Sequence, residues 1–190
     1  FPDGIGASSG ELGHNIMDHH FRLGASGRFE GFEDQYYKGR RPTGFYIPRF
    51  RNISPDTKMP FLRGYGYQGS ASRTNWARGI AELDAMGADL KAKLMDPGYW
   101  RMGMTAFGEC LPYHENKMML DYDKLDDWGL PTVTFDAEWK ENEMEMRKDM
   151  TAAAAEMLEA AGFKDVQEYD AGSWPGLGIH EMGTARMGRD

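Results

Sequence analysis

Apolar positions in this chain recur at two distinct periods. Met146, Met150, Ala153, Ala154, Met157, Leu158 and Ala161 return every three or four residues. That spacing draws one stripe along a helix and predicts an α-helix over residues 137–161. Glutamates fill its early turns, where they complement the helix dipole, and Gly162 is a natural C-terminal stop. Ile80, Leu83, Met86 or Gly87, Leu90 and Leu94 predict a second helix over 79–94, weakened by Gly79 and Gly87 and ended by Asp96-Pro97-Gly98. Leu12, Ile16 and Met17, behind a capping Ser8 or Ser9, suggest a short helix from about Glu11.

Elsewhere the period is two. Residues 21–23, 44–50 and 61–67 read as aromatic-rich strands, with Phe29, Phe32, Tyr36 and Tyr37 adding bulk between them. Pro48 marks an edge or a bulge. Residues 99–111 place Trp100, Met102, Met104 and Ala106 on one face of a strand. Short strands follow at 117–121, 132–135 and 163–169, with Trp128-Gly129-Leu130-Pro131 turning the chain between the first two. The first group resembles an antiparallel meander. Strands that cluster, rather than alternate with helices, predict an α+β fold: an antiparallel sheet with helices packed on one face.

One glycine pattern argues for a different fold. Gly64-Tyr65-Gly66-Tyr67-Gln68-Gly69 matches G-x-G-x-x-G, and Asp84 lies twenty residues after Gly64. A dinucleotide-binding turn needs a buried β-branched strand before it and a helix opening at the glycines. Here the preceding run contains Pro60, and the next helix starts some ten residues later. A strand with aromatic faces fits better than a nicotinamide-binding turn.

Composition narrows the function. Twenty-two basic and thirty acidic residues give a net charge of −8, which argues against a nucleic-acid-binding surface. No apolar run approaches the ~20 residues of a membrane span, so the chain suits a soluble protein, of cytoplasm or periplasm alike. It begins Phe1-Pro2-Asp3 without an initiator Met, so an upstream targeting segment would already be gone. The single cysteine, Cys110, excludes an internal disulfide framework. Twenty-four glycines in 190 residues, with no repeats, point to turns and close backbone approaches.

The chemistry concentrates near the end. Gly172, Gly176, Gly178, Gly183 and Gly188 surround His180. A histidine in such a frame is the best candidate in the chain for proton transfer near neutral pH, although a surface histidine in a glycine loop has the same local sequence. His180-Glu181 begins like the zinc-protease H-E-x-x-H, but Thr184 stands where the second histidine belongs. His14 and Asp18 would share a helix face, with His19 and His20 beside them, but one i, i+4 pair makes no metal site, and none is assigned. Glu109, near His114 and Asn116, either lines a polar pocket or ends a strand in solvent.

His180-Glu181-Met182-Gly183-Thr184-Ala185-Arg186-Met187-Gly188 resembles the H-x-x-G-T-x-R-M-G segment of the glucose–methanol–choline (GMC) flavin oxidoreductases. Residues 8–19 resemble their S-S-G-x-x-G-x-N-x-M-D-H stretch, in matching order and separation. Gly108-Glu109-Cys110-Leu111-Pro112, Asn116 and Leu120-Asp121 are similar to a strand pair of the branch acting on sugars and sugar acids. The resemblance implies an FAD-dependent alcohol dehydrogenase or oxidase, acting on a CH–OH group of a sugar-like or polyol substrate. Its catalytic histidine falls on His180. Asn15 and Asp18 fall near the flavin, and Glu109 is a contact to substrate hydroxyls. The electron acceptor is left open.

Members of that family open with a Rossmann FAD domain and carry a second catalytic His or Asn beyond the Arg-Met-Gly segment. Neither has a counterpart here. The resemblance therefore implies an internal piece of a longer enzyme: residues 1–20 as a margin of the FAD domain, 21–170 as the substrate domain, and 171–190 as the start of the catalytic segment. Alone, such a piece is expected to bind FAD poorly, to be inactive, and to self-associate through the uncovered interface. The competing expectation is a non-enzymatic α+β module that binds carbohydrate or a protein partner through its aromatic strands.

Overall fold

Helix α2, Glu141–Ala160, organises the packing. Met146, Met150, Ala153, Ala154 and Leu158 of its stripe are buried against an antiparallel sheet. The computed structural model describes residues 5–35, 44–73 and 83–187. Tyr36, Tyr37, Gly79, Ile80 and Gly188, which the sequence reading invoked, lie outside them.

The sheet contains β1 (Leu23–Phe29), β2 (Gly44–Ile47), β3 (Tyr65–Arg73), β4 (Trp100–Gly108) and β7 (Lys164–Asp170). Their order is β2-β3-β4-β1-β7, with every pair antiparallel. Strands β5 (Lys117–Leu125) and β6 (Pro131–Asp136) form a separate hairpin. A second helix, α1 (Gly87–Met95), buries no residue. The architecture is α+β with an antiparallel sheet, as the clustering of strands predicted. No described helix is long and apolar enough to cross a membrane.

Residue alternation assigns each sheet face its role. Leu23 and Ala25 of β1, Tyr65 and Tyr67 of β3, and Met104 and Ala106 of β4 point to α2 and are buried. A buried phenol needs a hydrogen-bond partner, and α2 supplies both. Tyr67 Oη donates to the carbonyl oxygen of Met150 (2.7 Å). Tyr65 Oη donates to the Asp149 carboxylate, which Arg51 also grips through two nitrogens at 2.9 Å each.

Two polar residues sit on the buried side of α2. Glu143, fully buried, accepts from the backbone N–H of Lys140 (3.1 Å) and of Leu111 (3.0 Å), so it caps the helix and ties down the chain after β4. Arg147, also buried, pairs with Asp170 at the end of β7 and reaches Ser173 Oγ (3.3 Å).

Several expectations are corrected. Residues 11–20 are not helical: after a single 3-10 turn, Ala7–Ser9, they run as an irregular strap making isolated bridges. Gly10 (φ 69°), Gly13 (φ 86°) and Asn15 (φ 63°) hold left-handed backbone that a helix cannot contain. His14 and Asp18 therefore share no helix face. Leu12, expected inward, is 44% exposed, whereas Ile16 is buried. The first strand does not continue a meander, because β1 inserts between β4 and β7. The G-x-G-x-x-G run opens β3 in an antiparallel sheet, which excludes the dinucleotide-binding turn.

Hairpin β5–β6 is one-sided. Met118, Leu120 and Tyr122 align with Phe135 and Val133 through the Met118↔Phe135 and Leu120↔Val133 pairs, and all five are exposed.

Candidate functional site

The strap from one end of the chain and the glycine loop from the other lock into one unit. Met17 and Met182 exchange a backbone pair (2.8 and 3.0 Å). The N–H of Gly13 donates to the carbonyl oxygen of Thr184 (2.8 Å). The strap is in turn fixed to the root of β5, where Met118 N–H donates to Gly13 O (2.7 Å) and Ile16 N–H to Asn116 O (2.9 Å).

Asp18 is the central clamp. It is 4% exposed, and its carboxylate accepts three backbone N–H groups: His19 (2.7 Å), Gly176 (3.1 Å) and Gly178 (2.6 Å). Charge-assisted bonds of this kind are about twice as strong as neutral ones. They draw the loop so close that a Cβ at residue 178 would stand 2.2 Å from Asp18 Oδ1. Only glycine fits there. Asn15, also buried, donates through Nδ2 to Glu11 (2.7 Å). Arg186 donates to the same Glu11 oxygen (2.7 Å). The Arg186 guanidinium and then the Asn15 amide hold the Glu11 carboxyl below its usual range.

Gly183 is as constrained as Gly178. Its φ is +104°, and an added Cβ would lie 1.9 Å from the backbone oxygen of Asn15. At Gly176 (φ +93°) nothing lies within 4 Å of the added atom. Gly176→Ala should therefore lose only the left-handed preference, about 1 kcal/mol. Gly183→Ala must also push strap and loop apart, and should cost about 2–3 kcal/mol. Hydrogen exchange at the Met17 and Met182 amides separates the two: it should accelerate far more in the Gly183 variant.

The clamp presents His180 outward. The preceding residue, Ile179, is 84% exposed with φ +71°, a strained setting for a β-branched side chain. His180 is exposed and makes no hydrogen bond or ion pair with another described residue. Its one ring contact among the described residues is His19, edge to face, with centroids 4.9 Å apart and planes at 86°. His19 is half-buried and meets Phe107 of β4 edge-on at 6.2 Å. Its Nδ1 donates to Gly108 O (3.4 Å).

Phe107 belongs to the sheet face opposite α2. A concavity of about 570 Å³ opens there, walled by Gln68, Ser70, Thr105, Phe107 and Tyr169. Thr105 Oγ1 and Tyr169 Oη share a hydrogen bond (2.7 Å), and Phe21 stacks on Phe107 at 5.8 Å. A second cavity, about 460 Å³, runs between the loop and the hairpin root, with Met182, Thr184 and Ile16 facing Met118 and Phe135.

Of the residues singled out from sequence, Asn15, Asp18 and His180 come together. Glu109 does not join them: its carboxylate is engaged by Arg49 (3.3 Å), although its neighbour Gly108 receives the His19 bond. His19 was missed as a partner of His180, since a vicinal His19-His20 pair carries no long-range signal. His20 turns the other way and is fully buried. Burial, then the Arg147 guanidinium, push its pKa down to about 4, opposed by the Glu109 carbonyl. Cys110 is buried too, which pushes its thiol up to about 12 and leaves it unreactive.

No protein-family model matches the chain. It is 30% identical, over an alignment of 200 residues, to a 2-methyl-1,2-propanediol dehydrogenase from Mycolicibacterium austroafricanum. The alignment takes in all of this chain and 34% of that protein, so the chain spans about a third of its relative's length.

Proposed function

We propose that this chain is the substrate-side part of a GMC-type flavin oxidoreductase that oxidises a CH–OH group of a polyol or sugar-like substrate. The carrying observation is the clamp. The two motifs that resemble the family lie at opposite ends of the sequence, yet interlock through Asp18, the Met17–Met182 bridge and the Gly13–Thr184 bond. The similarity to a diol dehydrogenase supports an alcohol as the group oxidised.

The residues present fit a flavin in a limited way. The cavity beside the loop, walled by Ile16, Met182, Thr184, Met118 and Phe135, has the size and apolar lining that suit a planar aromatic ring system. Asn15 and Asp18 would act on it indirectly, through the strap and loop they fix. When bound, FAD accepts a hydride; the protein must supply binding, orientation and a base. His180 is the base: exposed, free of hydrogen bonds to other described residues, and held on a clamped loop, it accepts the hydroxyl proton in its neutral form. Gln68, Ser70, Thr105 and Tyr169 on the open sheet face would meet further hydroxyls of the substrate. Glu109, expected to contact substrate hydroxyls, is paired with Arg49 at 3.3 Å.

The test is anaerobic mixing of the complete purified enzyme with a vicinal diol or an aldose. Bleaching of a flavin visible band is expected. A protein without bound flavin, or one whose flavin no alcohol reduces, would refute the reading.

A further inference from the structure

We infer that His19 is a positioning residue for His180, its ring setting the plane of the His180 imidazole. The inference rests on the proposed role of His180 as the base. Its physical basis is the contact itself: the one ring packed on His180 among the described aromatic contacts is His19, edge to face at 4.9 Å.

The surroundings fix His19 rather than His180. Its backbone N–H is held by Asp18 Oδ1 (2.7 Å), and its Nδ1–H donates to Gly108 O (3.4 Å). The second bond places a proton on Nδ1. Phe107 closes one side of the ring. His180 has no such restraint, and its strained neighbour Ile179 leaves the ring plane to be set by what it packs on. An edge-to-face contact sets that plane.

The experiment compares substitutions at residue 19 in the complete enzyme by steady-state kinetics. His19→Ala, which removes the ring, should lower kcat about tenfold with little change in KM. His19→Phe, which keeps a ring edge against His180, should recover most of that loss. An alanine variant with native kcat, or a phenylalanine variant as slow as the alanine one, would refute the positioning role, whereas loss of flavin reduction in the native enzyme would refute the proposed function instead. Cross-ring nuclear Overhauser contacts between His19 and His180 in the native 190-residue protein are expected at this spacing, and their absence would refute the proposal even if a variant fails to fold.

Discussion

Replacing His180 by alanine in the complete enzyme is expected to lower the rate of alcohol oxidation about 10²–10⁴-fold, the usual contribution of a positioned base. The loss should fall on kcat and on kcat/KM alike if, as proposed, the hydroxyl proton is transferred only as the C–H bond breaks. Substrate binding through Gln68, Ser70, Thr105 and Tyr169 would persist, since no described hydrogen bond or ion pair of the sheet depends on His180. Glycine at residue 178 should have a related but weaker effect if enlarged: Gly178→Ala drives a carbon into the Asp18 carboxylate and moves the loop that carries the base. Stopped-flow reduction under anaerobic conditions reads both. A His180→Ala enzyme within threefold of native would remove His180 from the mechanism.

The sequence made the sheet legible where one face is buried. Met104 and Ala106 alternate with Thr105 and Phe107; the period-two pattern put the first two on one face, and that face is the buried one. Helix α2 was legible for the same reason, its stripe found within a few residues at each end. What the pattern missed were elements stabilised by distant partners. The strap over residues 11–20 carries helix-like apolar spacing, yet its backbone bonds go to residues 116–118 and 182–184. Left-handed backbone at Gly13 and Asn15 is what that long-range pairing imposes. Glu143 and Arg147 lie outside the apolar stripe, yet both are buried because Leu111, Tyr113, Asp170 and Ser173 satisfy them, and no local window contains those partners. At the site, the motif drew attention to His180, while its contact with His19 follows only from the two chain ends meeting.

His20 should dominate the acid sensitivity of the fold. It is fully buried, and Nε2–H reaches Glu109 O at 3.3 Å while Nδ1 has no partner among the described residues. Protonation would put a second proton on an atom with nothing to receive it, within the field of Arg147. Burial and that guanidinium lower its pKa from 6.5 to about 4. The unfolded chain therefore binds a proton across the interval from about 6.5 to 4 and the folded chain does not. Unfolding takes up a proton in that window, so stability falls as pH falls, by about 3 kcal/mol over the whole interval, and levels off from this source below about 4. Glu11 acts lower, since its depressed carboxyl loses its bond to Arg186 only after the usual carboxylate range is passed. The two windows separate the contributions. His20→Phe should keep the contact with Trp139, now 5.6 Å between centroids, and flatten the stability profile between pH 6.5 and 4. Denaturant midpoints measured at half-unit intervals give the slope directly. An unchanged slope in the variant would mean that His20 is already charged, or already solvated, in the folded protein.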